Sequence, residues 1–203
     1  FLYAISKPKT HKLSILIAFL TMFMVRPHIA FIMLSSFIVF FISKSKAHVI
    51  IKVLTLPVII SGAIIVLQFV QQYVGLGDAS LDSYVEKRQG YNLGGGSSLD
   101  IASMSYPMQM FTYIFRPLPF EAHSIVALVT SIENTILLLL HIYIAFKSKL
   151  NFKPFINGKN LWLFTYVFLT CTILAITTAN LGIATRQKWM FMPVLIYLLI
   201  YAF

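Results

Sequence analysis

The sequence is poor in carboxylates and nearly devoid of cysteine. Six acidic residues face sixteen lysines and arginines, the formal net charge is +10, and charged residues make up only 11% of the chain. A soluble domain carries about 25% charged residues, so an ordinary water-facing surface is excluded. The single cysteine, Cys171, rules out an intrachain disulfide. No zinc or haem spacing is present, so neither a metal nor a cofactor is expected. No internal repeat is present, no nucleic-acid partner is expected, and no signal peptide is visible. The first residue is not Met, Phe1–Ile5 reads as the tail of a span begun upstream, and the sequence stops within "VLIYLLIYAF". It therefore reads as a fragment of a longer chain.

What fills the sequence is hydrocarbon. Hydrophobic residues account for 59% of it, with a mean hydropathy of +0.84. Several runs approach the roughly 18–20 apolar residues that cross a bilayer as a helix. The expected fold is an all-α, polytopic transmembrane helix bundle, a single domain over 1–203. Its spans are read at about 13–25, 29–43, 53–70, 124–146, 161–179 and 189–203. The segments "KSKLNFKPFINGKN" and "NLGIATRQK" read as loops, the second short and polar. If every apolar run crosses, ten of the twelve lysines fall on one side, including Lys7, Lys9, Lys44, Lys147 and Lys153. By the positive-inside rule that side is the cytoplasm. The expected location is a bacterial cytoplasmic (inner) membrane, crossed several times.

Two of the runs are short. Leu13–Val25 and Ile29–Ser43 amount to roughly 20 Å of helix, less than the ~30 Å hydrocarbon layer. That puts Arg26-Pro27-His28 at membrane depth, on the floor of a cavity open to the outside. The alternative is a thinned bilayer with Arg26 snorkelling to the headgroups.

The arginines segregate. There are four, Arg26, Arg88, Arg116 and Arg186, and on this topology all face outward. The positive-inside rule treats Lys and Arg alike and does not explain the split. A guanidinium pairs bidentately with phosphate, which an ammonium does not. Lipid headgroups or the outward acids Asp78, Asp82, Glu86, Asp100 and Glu121 are the plainer partners. Arg88, in "VEKRQG", fits that plainer reading best.

Roughly 48 residues, about 75–123, separate two spans, longer than ordinary connections. "DASLDSYVEKR" suits a short helix capped by Asp78, and Gly94–Gly96 a hinge. "SSLDIASMSYPMQMFTYIF" starts like a capping box at Ser97 and Asp100. It reads as an interfacial or re-entrant helix bent at Pro107 and stopped by Pro117 and Pro119. This delivers Arg116 to the membrane edge, with Glu121 and His123 just before the next span. Glu133 then lies roughly 14 Å down that span. A carboxylate at that depth is costly and reads as functional, or as the partner of an arginine such as Arg26 or Arg186.

"MVRPHIA", "YIFRPLPFEAHSIVALVTSIEN" and "NLGIATRQKWMFMPVL" together resemble the Wzy-type O-antigen polymerase and O-antigen ligase group of bacterial surface-polysaccharide membrane proteins. The resemblance covers nearly the whole fragment as scattered short motifs. It implies metal-independent glycosyl transfer at the outer face. The donor would be an undecaprenyl-pyrophosphate-linked glycan, the acceptor a sugar hydroxyl on a second lipid-linked unit, and a chain-length regulator protein a further partner. Arg26, Arg116 and Arg186 would hold the pyrophosphate. Glu121, His123 and, third, His28 compete as catalytic base, and Glu133 would orient an arginine. In that group the catalytic side chain differs between branches. A transporter or flippase of an anionic lipid-linked sugar is the main rival reading. An accessory subunit and a membrane acyltransferase follow.

Overall fold

The computed structural model describes residues 12–44, 81–92, 98–101, 103–149, 151, 153–156 and 160–202. All regular structure among them is helical, apart from one isolated antiparallel bridge between Ser98 and Asn180. The expected span at 53–70, the Gly94–Gly96 hinge, and the caps at Asp78 and Ser97 lie outside the described residues, as do the side chains of His28 and Arg88. The chain divides into two compact units, Phe1–Gly77 and Asp78–Phe203.

In the first unit, α1 (Lys12–Val25) and α2 (Pro27–Lys44) abut at Arg26. The Arg26 N–H donates to Met22 O at 2.7 Å, and its carbonyl accepts from Ile29 at 3.1 Å and Ala30 at 3.2 Å. Pro27 opens α2, where a missing N–H breaks no helical bond and its fixed φ suits the first turn. Phe23 meets Phe31 edge-on across the junction, 5.5 Å between ring centres. Ile29, Ala30, Ile32, Met33 and Ser36 form the buried stripe of α2, and the Ser36 hydroxyl is spent on Ile32 O at 2.6 Å.

The second unit runs α3 (Leu81–Asn92), α4 (Tyr106–Phe115), a 3₁₀ turn (Pro119–Glu121), α5 (Ile125–Lys147), the single turn α6 (Lys153–Ile156), α7 (Asn160–Thr177), α8 (Leu181–Lys188) and α9 (Met192–Ala202). The helix α7 is its axis. Beyond Asn160 its buried residues come as pairs every fourth position: Trp162 and Leu163, Tyr166 and Val167, Thr170 and Cys171, Leu174 and Ala175. Four residues advance about 40° beyond a full turn at 3.6 residues per turn. The buried stripe therefore winds around the helix, and successive levels meet different partners. In all, α3, α4, α6, α8 and α9 pack against α7.

By contrast, α5 buries only Ser131, Asn134, Leu137 and Ile144. Three- and seven-residue steps keep one narrow seam. That seam joins Ile114 and Phe115 of α4 and Leu199 of α9 in an apolar cluster. The rest of α5 exposes Ile125, Val126, Leu128, Val129, Ile132, Ile136, Leu139, Ile142, Tyr143 and Phe146. Only α5 and α7, among the described residues, are helices long and apolar enough to cross a membrane.

Two local expectations are corrected. Pro107 does not bend a helix. It occupies the first turn of α4 behind the N-cap Ser105, where its lost N–H has no intrahelical partner to forfeit. The segment "NLGIATRQK" is not a loop either. The Asn180 Oδ1 accepts from the Gly182 and Ile183 N–H groups at 2.9 and 3.3 Å and starts α8. A short break at Trp189–Phe191 then leads into α9. Ala184, Lys188, Phe191, Val194 and Leu198 are all buried, so a single helical stripe passes through the break.

Candidate functional site

The site lies where α4 ends. Arg116 is its C-cap and adopts extended backbone, its N–H bonded to Thr112 O at 3.1 Å. Prolines at 117 and 119 forbid further helix, because neither supplies an N–H and each pushes its predecessor into extended geometry. The Arg116–Pro117 peptide is cis. The chain then doubles back through the 3₁₀ turn to Ser124, whose hydroxyl accepts from the Ala127 N–H at 3.1 Å and caps α5.

Within this turn Arg116 and Glu121 hold each other. The Arg116 Nε donates to Glu121 Oε2 at 3.1 Å, and an Nη2–Oε1 contact completes a two-point ion pair. Both side chains are 19% exposed. Glu121 Oε2 also accepts from the Leu118 N–H at 2.9 Å. Partial burial by itself would raise the Glu121 carboxyl. The hydrogen bonds from Arg116 and Leu118, with the charges of Arg116 and His123, outweigh it and hold the carboxyl below its ordinary value. No other acceptor among the described residues is bonded to the Arg116 guanidinium.

Beneath the turn lies a polar chain not expected from the sequence. The Asn134 Nδ2 donates to Pro117 O at 3.1 Å, and its Oδ1 accepts from Lys188 Nζ at 3.0 Å. The same ammonium donates to Arg116 O at 3.2 Å. Lys188 is 3% exposed and Asn134 4%, so both are desolvated. No carboxylate among the described residues lies within ion-pair distance of Lys188. Phe191 is fully buried beside it in sequence and stacks on Tyr113 of α4 at 6.2 Å. Tyr166 of α7 donates to Met190 O at 3.2 Å, within the α8–α9 break.

The expected residues distribute unevenly. Arg116, Glu121 and His123 share the turn, with His123 exposed. Arg186 lies on α8, two residues before Lys188, and is exposed. A helix turns about 100° per residue, so Glu133 points away from the seam that Asn134 enters. It is exposed, and no hydrogen bond or ion pair joins it to an arginine among the described residues. Arg26, exposed, and His28 belong to the first unit. Lys188 and Asn134 were missed for an identifiable reason. Lys188 sits at a core position of a helical stripe that reading "NLGIATRQK" as a loop conceals, and Asn134 stands beside the more conspicuous charge of Glu133. No group of three or more His, Cys, Asp or Glu side chains able to hold a metal occurs among the described residues. No protein-family model, curated protein or solved structure matches this chain.

Proposed function

We propose that the chain is part of a multi-pass protein of the bacterial cytoplasmic membrane that transfers glycan between undecaprenyl-pyrophosphate-linked units at the outer face, polymerising surface polysaccharide. The membrane reading draws support from α5: a helix that exposes ten large apolar side chains and packs along only one narrow seam suits hydrocarbon. On that reading α4 is re-entrant and the Arg116 turn lies near the depth of Asn134, about 14 Å along α5 from its start. The pair α8–α9 becomes one interrupted crossing, about 33 Å of helix over Leu181–Ala202.

The observation that carries the reaction is the Arg116 guanidinium. It is fixed by Glu121 on one edge and has no second acceptor among the described residues, so the rest of its fork is available to an anion. A pyrophosphate leaving group gathers charge in the transition state, and a fixed donor stabilises it without reorganising. Arg186 on α8 is the further phosphate ligand proposed. The acceptor hydroxyl oxygen bonds the anomeric carbon as the bond to pyrophosphate breaks. The lipid pyrophosphate departs with the electron pair, and the hydroxyl proton passes to a base. Glu121 suits that last role poorly, being ion-paired and depressed in basicity. His123 is exposed in the same turn, and imidazole is the class matched to neutral pH. Glu121 then serves to aim Arg116.

One observation favours a second reading. Interrupted helices with polar groups at mid-depth, as in α4 and α8–α9, are also how transporters build substrate sites. Transport of an anionic lipid-linked sugar would use the same arginine. The test is Arg116→Lys in the intact protein, with membrane abundance monitored, read as the surface-polysaccharide chain-length ladder. Collapse to single units supports polymerisation. An unchanged ladder overturns it. Loss of all surface glycan, with lipid-linked units accumulating inside, transfers the assignment to transport.

A further inference from the structure

We propose that Lys188 and Asn134 form a latch that holds the Arg116 turn in its working geometry, making both positioning residues for Arg116. The turn has two consecutive carbonyls, Arg116 O and Pro117 O. Each is taken by a different side chain: the first by Lys188 Nζ at 3.2 Å, the second by Asn134 Nδ2 at 3.1 Å. The two side chains are joined to each other at 3.0 Å. One closed polar circuit therefore ties the end of α4 to α5 and to α8. With both carbonyls fixed, the peptide plane between them is fixed, and so is the direction in which the Arg116 side chain leaves the backbone.

Burial makes this arrangement selective. An ammonium at 3% exposure has lost its water and is solvated here by protein dipoles alone. Glu133 acts on it only through charge at longer range and no carboxylate among the described residues reaches ion-pair distance, so its hydrogen bonds converge on the turn and on Asn134. The neighbouring stack of Tyr113 on Phe191 brings α4 and the α8–α9 break together and keeps the ammonium beside the carbonyls. Asn134 is the residue type the circuit requires, because it must donate to Pro117 and accept from Lys188 at once. Aspartate cannot donate, and leucine can do neither.

The positioning role rests on Arg116 acting on a pyrophosphate, but the latch can be tested without that reaction. A Leu118→Cys reporter in the turn is labelled with a membrane-impermeant maleimide, and the parent protein, whose Cys171 is 2% exposed, supplies the blank. Lys188→Met and Asn134→Leu are each expected to speed labelling at least tenfold. The double variant should go no further, since both substitutions open one circuit. Lys188→Arg, which keeps a buried donor, should restore slow labelling. If Lys188→Met does not accumulate, Asn134→Asp serves in its place. It keeps an acceptor for Lys188 but removes the donor to Pro117, and faster labelling is again expected. Parental labelling rates in the variants that accumulate overturn the latch. The polysaccharide ladder is read on the same cells. Faster labelling with a shortened ladder supports the full proposal. Faster labelling with a full ladder in Lys188→Met, where Arg116→Lys loses it, overturns the positioning role. Faster labelling with a full ladder in both supports the latch and overturns glycosyl transfer instead.

Discussion

Arg116 and Lys188 are 72 positions apart in sequence and joined in space by one hydrogen bond, yet they are accommodated in opposite ways. Arg116 keeps 19% exposure and is neutralised by a carboxylate. Lys188 is 3% exposed and meets only neutral oxygens. A partly exposed ion pair can exchange its carboxylate for another anion, because one anion replaces another on the same donors. A buried ammonium held by an amide and a carbonyl cannot lose either without a penalty. The first arrangement suits a group that must meet a ligand, the second a group that must stay in place.

That contrast can be broken most severely at Asn134. Asn134→Leu removes an acceptor from the Lys188 ammonium and strands Pro117 O, and should cost about 3 kcal/mol, seen as a large drop in thermal midpoint in detergent. Glu121→Gln tests the exposed side. Losing one charge from the pair while keeping hydrogen bonding should cost about 1.5 kcal/mol at neutral pH. Glu121 has a folded-state value below the unfolded one, about 4.5. Its contribution is therefore present above the unfolded value and lost as pH falls through the folded one. Stability measured from pH 6 down to 3 should fall more steeply in the parent than in Glu121→Gln, and equal slopes would refute the assignment. Asn180→Ala, at the start of the helix that carries Lys188, should cost about 1 kcal/mol through the lost cap. Ser124→Ala, the cap on the exposed side of the site, should cost only about 0.5 kcal/mol, the low end for such positions.

Much of the helical layout was legible. The apolar runs at 13–25, 29–43, 124–146 and 161–179 fall on α1, α2, α5 and α7. The prolines at 117 and 119 end α4 as their chemistry requires, and Arg116, Glu121 and His123 do share a turn. What escaped reading has physical causes. Pro107 was given a bend because a proline inside an apolar run looks interior, whereas the helix starts only one residue before it. The helix α8 was hidden by its polarity. Arg186, Gln187 and Lys188 depress the local hydropathy that marks a span, although Asn180 is a strong cap and Ala184 through Leu198 keep a helical period. At Glu133–Asn134 the charge is the conspicuous feature of the sequence. The charge is exposed, while the neutral amide, one residue and about 100° further on, enters the seam.

Among the described residues, α3 and the stretch at Ser98–Leu99 are tied to the junction of α7 and α8. Gln89 of α3 donates to Ile176 O at 2.9 Å, the Leu99 N–H donates to Ala179 O at 2.8 Å, and Ser98 bridges Asn180. All three attachments fall within five residues, where α7 gives way to the cap of α8. Mechanically this is a lever with α3 and the Ser98–Leu99 stretch as its handle. A load on that handle is borne by the Asn180 joint, travels down about 12 Å of stiff helix, and arrives at the lysine whose ammonium grips the arginine turn.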